Sequence, residues 1–179
     1  MQNKKSDKFD WTLCFILIVF CIISCAAIYS AQLAEGTNFL VRQLIFYFIG
    51  AIIAGVVMFF DNYQFRKLSW YLYGFGMFLL IALIFAPESI APIRNGAKSW
   101  FIIGPISIQP SEFMKIFLIL VLSKITADHY EKDIEKTLQT DFQLFLKLGI
   151  ATFFPFVIIL EQDLGTALVL VAIMLGTGQ

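Results

Sequence analysis

Trp11-Thr-Leu-Cys-Phe-Ile-Leu-Ile-Val-Phe-Cys-Ile-Ile-Ser-Cys-Ala-Ala-Ile-Tyr-Ser-Ala-Gln-Leu-Ala34 runs for 24 residues without a charge. A helix needs about 20 apolar residues to cross the hydrocarbon core of a bilayer. The stretch therefore reads as a membrane span. The polar segment before it, Met1 to Asp10, carries Lys4, Lys5 and Lys8, as the leading end of a secretory signal would. The run is too long for the apolar core of a signal. Ala31 and Ala34 are the weak trace of a cleavage site, and further spans follow. The segment is read as a signal anchor that stays. Cys14, Cys21 and Cys25 fall along one face of this helix, with no His beside them. They read as small packing residues and not as metal ligands.

The rest of the chain continues the pattern. Hydrophobic residues make up 59% of it, charged residues 15%, and mean hydropathy is +0.81. Soluble domains are about 45–50% apolar. Further apolar stretches are Gln43–Phe60, Leu68–Pro87, Pro110–Ala127 (with Glu112, Lys115 and Lys124), Phe142–Leu160 (with Lys147), and a last one from Leu164 to Gln179. Backbone groups in lipid must be bonded within their own segment, so these are helices. The expected fold is an all-α integral membrane bundle of about six transmembrane helices. The sixth is expected to be truncated: 16 residues at 1.5 Å each give about 24 Å, short of the roughly 30 Å core. Residues 1–179 are read as a single membrane domain, the N-terminal part of a larger polytopic bundle.

With the N-terminus in the cytoplasm, nine of the thirteen basic residues fall inside: Lys4, Lys5, Lys8, Arg66, Lys67, Lys124, Lys132, Lys136 and Lys147. Arg42, Arg94, Lys98 and Lys115 fall outside. The bias favours this orientation. It places a cytoplasmic loop at 128–141, whose mixed charges suggest a short solvated helix with His129 in water. It also places an extracytoplasmic loop at 88–109, longer than a plain connector needs to be. A net charge of zero gives no basic face for nucleic acid.

Two stretches can carry chemistry. The first is Asn95-Gly-Ala-Lys-Ser-Trp-Phe-Ile-Ile-Gly-Pro-Ile-Ser-Ile-Gln-Pro-Ser-Glu-Phe-Met-Lys115. Gly96 and Gly104-Pro105 make turns. Trp100 suits the membrane–water interface. Gln109-Pro110-Ser111-Glu112 reads as a helix start, with proline at the first position and an acid in the first turn. Lys115 is placed to pair with Glu112. A capped helix with one ion pair explains all of this. The cost of charge inside a span argues equally for a functional cavity. Lys124 is expected to snorkel or to pair with Asp128. The second stretch is Glu161-Gln-Asp-Leu-Gly-Thr-Ala167, with Asp163, Gly165 and Thr166 between two apolar helices. Asp163 can cap the sixth helix. An acid at that depth is also a candidate binding group.

In order and spacing, Asn-Gly-Ala-x-x-Trp, then Gln-Pro-Ser-Glu-x-x-Lys, then Asp-Leu-Gly-Thr-Ala resemble the shape, elongation, division and sporulation family (RodA/FtsW-like), over nearly the whole chain. Asn95-Gly-Ala leans towards the elongation (RodA) branch. The chain departs from the family pattern twice. Ser99 stands where the family often has Arg before the Trp, and Glu161-Gln162-Asp163 stands where it usually has Gln-Pro-Asp. The resemblance implies a peptidoglycan glycosyltransferase of the bacterial cytoplasmic membrane, with lipid II as substrate and a class B penicillin-binding protein as partner. Membrane lipid surrounds it. It also marks Arg94, Lys98, Trp100, Gln109, Pro110, Ser111, Glu112, Lys115, Asp163, Gly165 and Thr166 as substrate-binding or motif residues, with a solvated basic loop as the other reading of Arg94 and Lys98. Arg94 and Lys98 would offset charge on the departing diphosphate, and Trp100 would stand near the substrate entrance. The family's catalytic carboxylate is expected beyond residue 179, so this chain by itself is expected to be inactive. No cofactor and no metal site follow from the residues, although a divalent cation is compatible with the reaction. Two other readings stay open: a lipid II flippase of the same architecture, and a non-catalytic scaffold of the wall-synthesis complex.

Overall fold

The computed structural model describes residues 10–35, 39–94, 96–104, 106–131 and 138–177. The chain forms two compact units, residues 1–60 and 61–179. Lys4, Lys5 and Lys8 lie outside the described residues. So do Asn95, Pro105, Lys132 and Lys136, and with them most of the solvated helix expected at 128–141.

The first unit is a pair of packed helices, α1 (Trp11–Glu35) and α2 (Phe39–Val57). Asp10 starts α1: its Oδ1 accepts the N–H groups of Thr12 and Leu13 at 2.9 and 3.1 Å. Gln32 Oε1 accepts the Leu40 N–H at 2.9 Å and ties the two helices together. Large apolar side chains such as Phe15 and Phe48 point outwards along both helices. That arrangement fits lipid as the solvent.

The second unit is built on α4 (Pro110–Tyr130), which packs against α3 (Asn62–Phe85), α5 (Leu138–Leu160) and α6 (Leu164–Thr177). Ser111, Met114, Leu118, Val121, Leu122 and His129 recur at helical spacing and form its buried stripe. Leu80, Leu144, Leu148, Ile159, Ala167 and Leu170 meet that stripe. Gly76 lets α3 come close to α4. A Cβ there would stand 2.7 Å from Met114 Sδ and 2.9 Å from Phe117 Cδ2. Pro155 lies inside α5 and has no N–H to give to the carbonyl one turn back. That carbonyl, of Ala151, accepts the Tyr73 hydroxyl at 2.7 Å, so α3 supplies the bond that α5 lacks. At the far end of the pair, the Arg66 guanidinium of α3 holds both Asp128 and Glu131 at the end of α4.

All six expected helices form. Four of them, α1, α2, α3 and α5, are long and apolar enough by themselves to cross a membrane. The boundaries differ where charge was taken as a limit. Helix α2 begins at Phe39 and includes Arg42, and α3 begins at Asn62 and includes Arg66 and Lys67. Long basic side chains at helix ends reach the interface, so they do not end the helix. Gln64 Oε1 accepts the Asp61 N–H at 3.0 Å and fixes the true start of α3. Two expectations are corrected. Helix α4 runs on to Tyr130, which puts His129 on its packed face at 6% exposure and not in water. Asp128 pairs with Arg66 and not with Lys124. To the helical bundle the structure adds a short antiparallel hairpin, β1 (Phe101–Ile103) and β2 (Ile106–Ile108), between α3 and α4.

Candidate functional site

The connection from α3 to α4 folds as two tight turns in succession. Arg94 and Ala97 exchange backbone hydrogen bonds at 2.9 and 3.1 Å around Gly96, whose φ is +84°. Gly104, with φ +61°, begins the turn of the hairpin, where Phe101 pairs with Ile108 and Ile103 with Ile106. These are the conformations that glycine adopts without strain. The Ile102 N–H donates to the Ile90 carbonyl at 2.7 Å and anchors β1 to the turn that follows α3. Lys98 turns back on the end of α3 itself, its Nζ donating to the Ala86 carbonyl at 2.7 Å. Arg94 is exposed. Trp100 is 36% exposed where the chain enters β1.

The loop is tied to the α5–α6 turn through Ser99, whose Oγ donates to the Gln162 carbonyl at 3.1 Å. The Gln162 Nε2 is buried without a partner among the described residues. These are the two places where the sequence departs from the family pattern, and the fold brings them together. Their meeting was not readable from the sequence, because the two positions are 63 residues apart.

Helices α4 and α6 begin at this same end of the bundle and pack on each other. Gln109 precedes α4, with its side chain making no capping bond. Pro110 takes the first helical position, and Pro110 and Ser111 are both buried. Glu112 follows in the first turn and accepts a bond from Lys115 Nζ at 2.8 Å, the expected pair. Asp163 caps α6. Its Oδ1 accepts the N–H groups of Gly165 at 2.9 Å and Thr166 at 3.2 Å, and its Oδ2 accepts the Thr166 hydroxyl at 2.6 Å. A Cβ on Gly165 would come within 3.2 Å of Asp163 Oδ1, so glycine allows the carboxylate its close approach to the backbone. Glu112, Lys115, Asp163 and Thr166 thus gather where two helix N-termini present their positive ends.

The hydrogen bonds from Thr166, then the Gly165 N–H and the positive charge of Lys115, hold the Asp163 carboxyl below its ordinary value of 3.8. A carboxylate is already a weak proton acceptor at neutral pH, and this lowering weakens it further. Asp163 is therefore suited to fixing geometry and charge, and poorly suited to general base work. Its folded-state pKa is depressed, so the stability it adds is fully present above about pH 4, the unfolded range. That stability is lost as the pH falls through the folded value. Asp163→Ala is expected to cost about 1 kcal/mol, and Asp163→Asn only a few tenths, because Asn caps nearly as well. Thermal denaturation of the two variants in detergent checks this. An Asn variant as unstable as the Ala variant would show that the charge, and not the cap, is what matters.

The FtsW, RodA and SpoVE family of cell cycle proteins matches residues 5–177. Stage V sporulation protein E of Bacillus subtilis is 32% identical over 96% of this chain and 47% of its own length. Peptidoglycan glycosyltransferase RodA of Treponema pallidum is 31% identical over 98% of this chain and 39% of its own. Among solved structures, a mutant of the rod shape determining protein RodA of Thermus thermophilus superposes with a TM-score of 0.72 at 27% identity, covering 90% of this chain and 50% of that one. A chain of a peptidoglycan synthase complex, described for its coordination of polymerization and crosslinking, superposes at 0.65 with 28% identity, over 91% of this chain and 45% of that one. The chain spans about half the length of these relatives.

Proposed function

From a chain that belongs to the FtsW, RodA and SpoVE family of cell cycle proteins, we propose that the protein polymerises lipid II into glycan strands at the bacterial cytoplasmic membrane. The orientation proposed is the one that the basic residues favour, with the N-terminus and the Arg66 end inside and the motif end outside. The partner proposed is a class B penicillin-binding protein, by analogy with the synthase complex that the fold resembles. What carries the reading is the cluster of Glu112, Lys115, Asp163 and Thr166 at the N-termini of α4 and α6, beside the turn to which Ser99 fastens the loop through Gln162.

In the reaction, a carboxylate takes the proton from an acceptor sugar hydroxyl. The hydroxyl oxygen attacks the donor's anomeric carbon, the bond to the diphosphate breaks, and the lipid diphosphate leaves. Residues 1–179 would serve this step by binding. Lys115 and the exposed Arg94 would face the growing negative charge of the leaving diphosphate. Lys98 is less suited to that task than its position in the sequence suggests, because its ammonium is held by the end of α3.

A chimera tests the proposal. Residues 1–179 replace the matching residues of Bacillus subtilis stage V sporulation protein E, and the product is assayed in proteoliposomes with lipid II. Glycan strands are the expected product. Transfer of lipid II across the vesicle membrane without any polymer would favour the flippase reading instead.

A further inference from the structure

On the Arg66 side of the bundle, away from the motif end, a cavity of about 380 Å³ opens between α3, α4 and α5. Trp70, Tyr73, Ile125, Ile150 and Phe154 form its apolar walls, and Lys147 is the one charged residue among the described residues that line it. The Tyr73–Ala151 bond sets the register of the two parallel helices α3 and α5. Lys147 lies four residues before Ala151, about 6 Å nearer the Arg66 end at 1.5 Å per residue. That places it roughly level with Trp70. Lys67, also exposed, precedes Trp70 by three residues on the same face of α3. Lysine and tryptophan at one height mark a membrane–water interface.

Among the described residues, the charge on this rim is unbalanced. The acids at the end of α4, Asp128 and Glu131, are both held by Arg66. Asp141, on α5, stands six residues before Lys147, which turns it to a different face of the helix. We infer that the cavity binds an anionic phospholipid of this leaflet, its phosphate against Lys147 and one acyl chain along Trp70, Ile150 and Phe154. The volume is within the range of small-molecule sites. Another protein helix seated there would have to bury the Lys147 ammonium against apolar side chains, which is costly. A lipid phosphate neutralises that ammonium, and its chain fills the apolar space.

Native mass spectrometry of the delipidated 179-residue chain tests this, with titrations of phosphatidylglycerol and phosphatidylcholine of equal chain length. The first phosphatidylglycerol is expected to bind about fivefold more tightly than phosphatidylcholine, the ratio for one basic residue at an anionic surface. Lys147→Gln is expected to remove that preference and leave phosphatidylcholine binding unchanged. Ile150→Trp fills the cavity and is expected to remove the first site for both lipids. Lys124→Gln, on another face of α4, is expected to keep the preference. Equal binding of the two lipids by the unaltered chain overturns the inference, whatever the variants do. So does a preference that survives Lys147→Gln, one lost equally in Lys124→Gln, or a second copy of the chain occupying the face regardless of lipid.

Discussion

Lys115→Glu, made in the chimera, is expected to lower the rate of glycan polymerisation by about a hundredfold, the usual effect of removing one preorganised charge-stabilising group. Lys115 Nζ binds Glu112 at 2.8 Å, and its charge also reaches Asp163. Reversing it would leave three acids facing one another at the mouth of the proposed site. A diphosphate approaching them would be repelled, and the two helix N-termini could not compensate, since the new acid would occupy them. Lys115→Arg should recover most of the rate, because it restores the cation. The measurement is initial rate with lipid II at matched protein levels in proteoliposomes. A Glu variant within about threefold of the parent would remove Lys115 from the proposed chemistry.

Gly76→Leu is expected to have the largest effect on folding, about 3 kcal/mol, at the upper end for overpacking. The Cβ alone would press on Met114 Sδ at 2.7 Å and Phe117 Cδ2 at 2.9 Å. Met114 is fully buried, so a branched side chain would push α3 away from α4 instead of displacing one flexible tip. Gly76→Ala should cost about 1 kcal/mol, since the end of a methionine side chain can yield. Thermal denaturation and gel filtration in detergent read both variants. A Leu variant that melts with the unaltered protein would mean that the two helices do not depend on this close approach.

The spans were legible because lipid imposes one rule on every backbone, and Trp11–Ala34 or Phe142–Leu160 obey it without ambiguity. Glycines were legible too: Gly96 and Gly104 turn where their neighbours suggested. The ion pair Glu112–Lys115 and the cap at Asp163 were readable because each is local, within three residues. What the sequence hid is long-range. Arg66 reaches Asp128 across 62 positions, and Tyr73 reaches Ala151 across 78. Pro155 did signal that a carbonyl one turn earlier would want a donor. Nothing in the string named Tyr73 as its source. His129 misled for a related reason: surrounded by charged neighbours in sequence, it lies on the one face of α4 that they do not occupy.

Helix α4 carries Glu112, Lys115 and Lys124, and it is not among the helices apolar enough to enter a membrane unaided. It is nonetheless the helix on which the second unit is built. One face of it is covered by α3, α5 and α6, while Phe113, Ile116 and Ile119 stay exposed on the other. During synthesis α3 emerges first, and it arrives already carrying Gly76 and Arg66, the groove and the clamp for α4. The polar helix then has a place to partition into besides water or bare lipid. Its entry into the bilayer becomes a property of the pair, and a lesion in α3 would be felt first as a failure of α4 to stay in the membrane.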